Sequence, residues 1–270
     1  MNIVGTIQRY ENFPSKFLTP RHVDVWCPPG YAEGNESYPV IYMHDGQNLF
    51  EPISSIGGES WELDKAITRL METETIRGAI VVGMWNHGDI RWQEYMPQKP
   101  YWARTMQRHH EAFLARAGGE PLSDSYLAFV VEEVKPFVDS KYRTLANKQN
   151  TFVMGSSMGG LVSLYAVSQY PDVFSGAGCL STNWPAGEFE IVNEMAKSLP
   201  NQADHKLYFD YGTEGLDALY EPYQKQMDEH LRKAGYRDGE NWMTRKFEGA
   251  PHNEAAWRAR VEIPLAFLLG

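Results

Sequence analysis

Cysteine is scarce in this sequence, with Cys27 and Cys179 as its two examples in 270 residues. Two cysteines are too few for a disulfide framework. Cys27 ends a strand-like run and Cys179 lies within another, so we expect both to be buried thiols of the core. Neither has the flanking residues of a cysteine nucleophile, and we expect neither to be reactive.

Long apolar runs and an excess of basic residues are also missing. No stretch approaches the roughly 18–20 apolar residues of a membrane span, and the chain does not begin with the basic and apolar segments of a secretory signal. Lys and Arg number 25 against 35 Asp and Glu, a net charge of −10, whereas nucleic acids and anionic membranes bind basic surfaces. We therefore expect a soluble, cytoplasmic protein with neither of these partners. The oligomeric state stays open, and a homodimer is compatible with the sequence.

Strand-like and helix-like runs alternate along most of the chain. Apolar residues make up 43% and charged residues 22%, which is typical of a soluble globular protein. Several strand-like runs are continuously apolar, as expected for strands buried on both faces. We therefore predict one α/β domain over residues 1–270, with a mostly parallel sheet between two helical layers. The predicted strands are 22–27, 40–44, 79–84, 151–154, 176–180, 206–211 and 242–247, and the predicted helices are 61–72, 126–140, 158–170, 217–234 and 253–268.

The most informative motif is Gly-x-Ser-x-Gly, centred on Ser157. Gly155 and Gly159 stand two residues before and after it, between a strand-like run and a helix-like run. This setting is typical of a nucleophile elbow, a strained turn that exposes the serine hydroxyl. Ser156 lacks glycines at the same spacing, so Ser157 is the predicted nucleophile. A plain glycine–serine turn is the alternative.

A serine nucleophile needs a histidine base, which His252 is placed to supply. After a nucleophile elbow, the acid and then the histidine follow the serine along the chain. His252 comes after the last predicted strand, in a Gly-Ala-Pro-His turn that precedes a helix. Of the other histidines, five precede Ser157, while His205 leads into a strand and His230 lies within a helix. His252 is therefore the predicted base.

The acid that orients the base is expected after the strand at 206–211. Glu214 and Asp217 both lie in the turn that follows this strand. We favour Asp217 because it stands at the start of the next predicted helix, although an N-cap role would explain it equally. Glu214 is kept as the alternative acid, and its ordinary role would be that of a solvated carboxylate.

A tetrahedral intermediate needs two backbone N–H donors for its oxyanion. Met158 directly follows the nucleophile and is expected to supply one of them. The second is expected from the loop after the strand at 40–44, where Gly46 allows close backbone approach and the N–H of Gln47 is the predicted donor. Asp45-Gly46 is also a common turn dipeptide.

These motifs resemble a family of esterases with the α/β-hydrolase fold. The family includes esterase D, enterochelin-esterase-like proteins, feruloyl and acetyl-xylan esterases, and the mycobacterial antigen 85 acyltransferases. The resemblance covers nearly the whole chain. It is carried by the first strand with its Pro-Pro-Gly-Tyr exit at 23–31, the Asp-Gly loop at 44–50, the elbow at 155–160 and the histidine loop at 249–257. The acid loop is spaced differently from that of the feruloyl esterases.

The resemblance implies a serine carboxylic-ester hydrolase that works through an acyl-enzyme. The expected substrate is a small-molecule aryl, acyl or siderophore-like ester, and no metal or organic cofactor is needed. Acyl transfer to an alcohol, as in antigen 85, and a non-catalytic binding role are the alternatives. The adjacent His109 and His110 lack a nearby carboxylate or cysteine pattern in the sequence, so we predict no metal site.

An aromatic-rich insertion near residues 85–123 interrupts the alternation of strands and helices. It is too long for an ordinary loop, and we expect it to cover the strand ends and line the substrate pocket; simple packing onto the surface is the alternative. Trp85 and Trp184 are predicted to line the acyl or alcohol site. Arg91 is predicted either to bind an acidic or phenolic group of the substrate or to form an ion pair with Glu94.

Overall fold

The computed structural model describes residues 3–52, 54–55 and 57–270. An eight-stranded sheet runs through the middle of this part of the chain, in the order β1-β2-β4-β3-β5-β6-β7-β8. The strands are β1 (Thr6–Phe13), β2 (Arg21–Cys27), β3 (Val40–His44), β4 (Ile80–Met84), β5 (Thr151–Ser156), β6 (Gly176–Leu180), β7 (Lys206–Gly212) and β8 (Trp242–Phe247).

The sheet is mostly parallel, as the sequence predicts. The β1–β2 and β2–β4 pairs are antiparallel, and every pair from β4 to β8 is parallel. All residues of β3 and β4 are buried, which explains their continuously apolar sequences. Because the parallel strands share one direction, the loops after β3, β4, β5, β6, β7 and β8 meet at a single edge of the sheet.

Helices cover both faces of the sheet. The two faces can be followed in β3, where Val40 and Tyr42 belong to one apolar cluster and Ile41 and Met43 to the other, because successive strand residues point to opposite sides. The helices are α1 (Leu63–Glu72), α2 (Arg91–Tyr95), α3 (Gln98–Tyr101), α4 (His110–Ala117), α5 (Ser123–Ala128), α6 (Lys135–Lys141), α7 (Met158–Gln169), α8 (Glu188–Ala196), α9 (Glu221–Lys233), α10 (Glu254–Arg258) and α11 (Glu262–Leu269).

Several elements differ from the sequence-based expectation. Strand β1 was not predicted, because it is an edge strand with a polar sequence and partly exposed side chains. Helix α8 was also missed. The predicted helix 126–140 contains a π-helical turn at Phe129–Val134 between α5 and α6, and the predicted helix 253–268 is divided into α10 and α11.

The insertion after β4 folds into α2, α3, a 3₁₀ turn at Arg104–His109 and α4. Arg21 of β2 anchors the insertion to the sheet through a buried ion pair with Glu94. Its Nη1 and Nη2 donate to the two oxygens of that carboxylate at 2.7 and 2.6 Å. Tyr95 and Met96 have no exposed surface. The insertion is therefore an integral part of the core on this face of the sheet.

Two composition-based expectations can be compared with the structure. Cys27 and Cys179 are free and buried, as predicted, and burial raises the pKa of both thiols. Among the described residues, no helix has the length and apolar character needed to cross a membrane.

Candidate active site

Ser157 occupies a sharp turn between β5 and α7. Its backbone has φ 58° and ψ −123°, a conformation that costs a non-glycine residue on the order of 1–3 kcal/mol. The turn needs a glycine two residues earlier, because a Cβ on Gly155 would lie 2.9 Å from the carbonyl carbon of Gly159. The Ser157 N–H donates to the carbonyl of Leu180 at 2.9 Å. This is the strained strand–turn–helix geometry that the sequence motif predicts.

Asp217 and His252 are in direct contact at the same edge of the sheet. Asp217 Oδ1 lies 2.5 Å from His252 Nδ1, and the Asp217 side chain has no exposed surface. Its Oδ2 accepts hydrogen bonds from Ser181 Oγ at 2.6 Å and from the Gly212 N–H at 2.7 Å. Burial would raise the pKa of Asp217, but the hydrogen bonds from His252, Ser181 and Gly212 lower it overall. Glu214, the alternative acid, is exposed.

The His252 loop is held against the acid loop by backbone hydrogen bonds. The Ala250 carbonyl accepts from the N–H groups of Thr213 and Glu214 at 3.0 and 3.1 Å, and the Gly249 N–H donates to Thr213 Oγ1 at 2.7 Å. These contacts set the distance between the two loops independently of the Asp217–His252 contact. The turn that carries the His252 imidazole is therefore held in place by the acid loop.

Tyr220 lies against His252, and sequence reasoning missed it. Its ring contacts the His252 ring edge-on, with centroids 5.6 Å apart. Burial raises the pKa of Tyr220, as does the charge of Asp217, while a side-chain hydrogen bond with Ser157 acts in the opposite direction. Among the described residues, no direct hydrogen bond joins Ser157 Oγ to His252 in this conformation. A tyrosine three residues after the acid was the available signal.

Sequence reasoning also missed a cluster of buried polar side chains that contacts Asp217. Ser181 Oγ, besides donating to Asp217, accepts from Trp257 Nε1 at 3.0 Å and from Arg260 Nη2 at 2.8 Å. Arg260 Nη2 also lies 2.9 Å from Asp210 Oδ1. Burial raises the pKa of Asp210 even though Arg260 lowers it. These side chains come from β7, the loop after β6 and the end of the chain, so no local pattern identifies them.

The two predicted oxyanion donors, Gln47 and Met158, lie on adjacent segments. Gln47 is in a 3₁₀ turn, Gly46–Asn48, that follows Asp45 in the left-handed conformation, with φ 57° and ψ 47°. A Cβ on Gly46 would lie 2.6 Å from the carbonyl of Gly83, so the loop packs directly on β4. Met158 begins α7, whose first N–H groups have no partner within the helix.

Arg91 pairs with a carboxylate that the sequence did not indicate, that of Asp45. Its Nε and Nη2 each lie 2.7 Å from an oxygen of Asp45. The predicted ion pair with Glu94 is wrong, because Glu94 pairs with Arg21 instead. No hydrogen bond joins Arg91 Nη1 to the described residues, so a substrate contact through this atom stays a prediction.

The two predicted pocket tryptophans follow strands that end at this edge of the sheet, and both side chains donate to neighbouring protein groups. Trp184 has no exposed surface; it donates to Gln224 Oε1 at 2.9 Å and stacks on Phe209. It packs in the core beside Asn183, whose N–H donates to the Ser157 carbonyl at 3.1 Å, and a substrate contact by Trp184 stays a prediction. Trp85 donates to Asp24 Oδ2 at 2.8 Å and lies beneath the Arg9 guanidinium, toward the antiparallel edge of the sheet.

The sequence argument against a metal site at His109 overlooked two carboxylates. Glu188 and Glu190 approach His109 so that one ligand atom of each of the three residues lies within 4.8 Å of the others. This is the one such cluster among the described residues. The Arg108 guanidinium already pairs with both carboxylates, at 2.6 and 2.8 Å. The cluster lies on α8 and the 3₁₀ turn before α4.

The chain resembles known proteins in both sequence and fold. The sequence model of the family described as "Putative esterase" matches residues 15–264. The uncharacterized protein YbbA of Bacillus subtilis is 21% identical over 257 residues, which is 93% of each chain. A solved ferulic acid esterase superposes with a TM-score of 0.71 at 17% identity, covering 100% of this chain and 99% of that chain. The enterobactin esterase FES from Shigella flexneri has a TM-score of 0.69 at 16% identity, covering 99% and 60% respectively.

The structural likenesses confirm the predicted α/β-hydrolase fold. The family match extends over the elbow, the acid loop and the histidine loop together. The chain therefore belongs to this esterase family, and it is a carboxylic ester hydrolase.

Proposed function

We propose that this esterase cleaves its substrate through an acyl-enzyme formed on Ser157, with His252 as the base and Asp217 as the acid. The observation that carries the proposal is the buried 2.5 Å contact between Asp217 and His252, at the sheet edge where Ser157 stands in its strained turn. A buried carboxylate fixes the Nδ1–H tautomer of the histidine, so that Nε2 is free to accept the serine proton.

The reaction then runs in two halves. The oxygen of Ser157 attacks the ester carbonyl while His252 Nε2 takes the hydroxyl proton. The tetrahedral intermediate collapses, the bond to the alcohol breaks, and His252 returns the proton to the leaving oxygen. Water enters and attacks the acyl carbonyl while His252 removes its proton. The second intermediate then collapses to release the acid, and His252 returns the proton to the Ser157 oxygen. Catalytic hydrogen bonds are often long in free enzymes, so we expect the Ser157–His252 bond to form with substrate bound.

A positive charge on His252 and a negative charge on the oxyanion develop during each half of the reaction. The site contains groups that stabilise each of these charges. The imidazolium of His252 is stabilised by Asp217, whose lowered pKa keeps it ionised at neutral pH. The oxyanion is stabilised by the N–H groups of Met158 and Gln47, each of which contributes about 10²–10³-fold to the rate when such donors are well placed.

The substrate class is proposed to be small esters with an aryl or other apolar acyl group. Two exposed leucines flank the acid in its turn, Leu216 at 43% and Leu219 at 57% exposure, and they offer apolar surface beside the reacting groups. One structural relative is named a ferulic acid esterase and another an enterobactin esterase. Siderophore-like esters are therefore included in the proposal.

The test is hydrolysis of p-nitrophenyl esters from C2 to C8 and of methyl ferulate by wild type and Ser157→Ala. Serine-dependent release of product supports the proposal, and the chain-length optimum measures the acyl site. Added alcohol acceptors separate hydrolysis from acyl transfer, because a transferase gives ester in place of free acid. A folded wild-type protein without turnover of any ester would contradict the proposal and favour a binding role.

A further inference from the structure

We infer that Arg91 is a positioning residue that acts through Asp45 on the N–H of Gln47. The inference rests on the proposed function, because it assigns a purpose to the loop that carries the second oxyanion donor. It assigns Arg91 a role that only the folded chain reveals, in place of the Glu94 ion pair and as an alternative to the substrate contact predicted from the sequence.

The Asp45 carboxylate receives three hydrogen bonds from the insertion. Arg91 Nε donates to Oδ1 and Nη2 donates to Oδ2, both at 2.7 Å, and Asn86 Nδ2 donates to Oδ1 at 2.7 Å. The side chains of Asp45 and Arg91 are 9% and 21% exposed. A two-point fork of this kind fixes the orientation of a carboxylate as well as its position.

The backbone of the same loop is held as well. The Asp45 N–H donates to the Tyr95 hydroxyl at 3.2 Å, and the Arg91 guanidinium lies over the Tyr95 ring at 4.9 Å. The Asn86 N–H donates to Gln47 Oε1 at 3.2 Å. Residues 86–95 therefore bind both Asp45 and Gln47, the two neighbours of Gly46.

Such restraint is needed because Asp45 has an unfavourable backbone conformation. The left-handed region is unfavourable for non-glycine residues. They remain in it where contacts with the surrounding structure hold them there. The Asp45 side chain also faces the elbow, since its Oδ2 would lie 3.4 Å from a Cβ placed on Gly159. We expect rotation at Asp45 to move the Gln47 N–H away from the proposed oxyanion.

Loss of Arg91 would leave a buried carboxylate with fewer donors, and the loop would be expected to relax. Because an oxyanion donor acts mainly on the transition state, the loss should appear in kcat and leave KM for a neutral ester nearly unchanged. A role for Arg91 in binding substrate predicts the opposite division, with a higher KM that is most pronounced for esters carrying a carboxylate.

The experiment compares wild type, Arg91→Lys and Arg91→Gln on p-nitrophenyl acetate and on a p-nitrophenyl ester with a terminal carboxylate. We expect kcat to fall about 10²-fold in Arg91→Gln, the loss typical of one misplaced donor, with KM within about twofold. Arg91→Lys keeps the charge without the fork and should recover part of the rate. Binding of a boronic acid that forms a tetrahedral serine adduct should weaken in parallel with kcat.

Arg9→Gln is the matched control. Arg9 also holds an aspartate by a two-point pair, with Asp24 at 2.7 and 2.9 Å, but at the antiparallel edge of the sheet. The Arg9→Gln substitution should leave kcat unchanged. If Arg91→Gln does not fold, Asn86→Ala removes one donor from the same carboxylate and should lower kcat to a smaller extent.

The outcomes separate this inference from the proposed function. A wild type without Ser157-dependent turnover would overturn the proposed function and the inference with it. An active wild type would overturn the inference alone if Arg91→Gln had unchanged kcat, or if its loss lay in KM for the charged ester.

Discussion

Asp217 Oδ1 lies 2.5 Å from His252 Nδ1, although 35 positions separate the two residues. Two further donors, from Ser181 and Gly212, hold the other oxygen of the same carboxylate. An aspartate with all of these partners cannot rotate away from the imidazole without losing several hydrogen bonds. The acid of the proposed triad is therefore fixed before substrate arrives.

Asp217→Asn should lower kcat by on the order of 10³–10⁴-fold, because the amide removes the charge that stabilises the imidazolium and favours the wrong tautomer. Glu214→Gln is the matched change in the same turn, and it should alter kcat by less than about twofold because Glu214 is exposed. The two variants are compared by steady-state kinetics on p-nitrophenyl acetate. Equal small losses would mean that His252 works without this acid.

Ser181→Ala should lower both activity and stability. Its hydroxyl connects Asp217, Trp257 and Arg260, and loss of a shared partner for buried polar groups costs about 1–3 kcal/mol. Ser168→Ala is the control, since that hydroxyl only donates to the Leu164 carbonyl within α7. Chemical denaturation and kcat are measured on both variants. Equal stability of the two proteins would refute the supporting role of Ser181.

The stability of the protein should depend on His44 between pH 3 and 6.5. Burial lowers the pKa of His44 to about 3, whereas an unfolded histidine titrates near 6.5. The unfolded state therefore binds an extra proton in this range, so stability falls as pH decreases, by up to about 1.4 kcal/mol per pH unit. His44→Asn should flatten this part of the curve in urea unfolding experiments.

The control for this pH dependence is His87→Asn, because His87 is exposed in the loop after β4. It should keep the wild-type slope. Identical slopes in wild type and His44→Asn would show that His44 is not held neutral.

Leu219→Ser should change the preference for acyl length. Leu219 is 57% exposed beside the acid, and full burial of a leucine side chain contributes about 1.5–3 kcal/mol. We expect kcat/KM for the octanoyl ester to fall about 10-fold, with the acetyl ester changed by less than about twofold. Leu145→Ser, at a 38% exposed leucine far from the triad, should leave the ratio unchanged. A uniform loss on both esters in Leu219→Ser would contradict an acyl-binding role.

The central part of the fold could be predicted because its sequence and its burial agree. The strands Val40–His44 and Gly176–Leu180 are buried throughout and, apart from His44, carry apolar residues, so the apolar pattern in the sequence predicts their central place in the sheet. Strand β1 is polar and half-exposed at an edge, and its pairing with β2 is what makes it a strand. A polar edge strand such as β1 therefore escapes a prediction based on apolar runs.

For the candidate site, the order of the residues along the chain predicted the proposed triad, but it did not predict which charged residues form ion pairs. Ser157, Asp217 and His252 follow the serine, acid, histidine order of the resemblance, and the structure brings the last two into contact. The partner of Arg91 lies 46 positions earlier in the chain, while Glu94, its sequence neighbour, is taken by Arg21. Ion-pair partners depend on which strands and helices become neighbours, and a linear pattern does not contain that information.

The most direct test of the account is to locate the covalent adduct of a fluorophosphonate by peptide mass analysis. We predict a single adduct on Ser157, loss of esterase activity in step with labelling, and no labelling of Ser157→Ala. Ser156→Ala, the neighbouring serine on β5, should label and turn over substrate, and His252→Ala should label far more slowly. An adduct on another residue, or full activity in Ser157→Ala, would contradict the central claim.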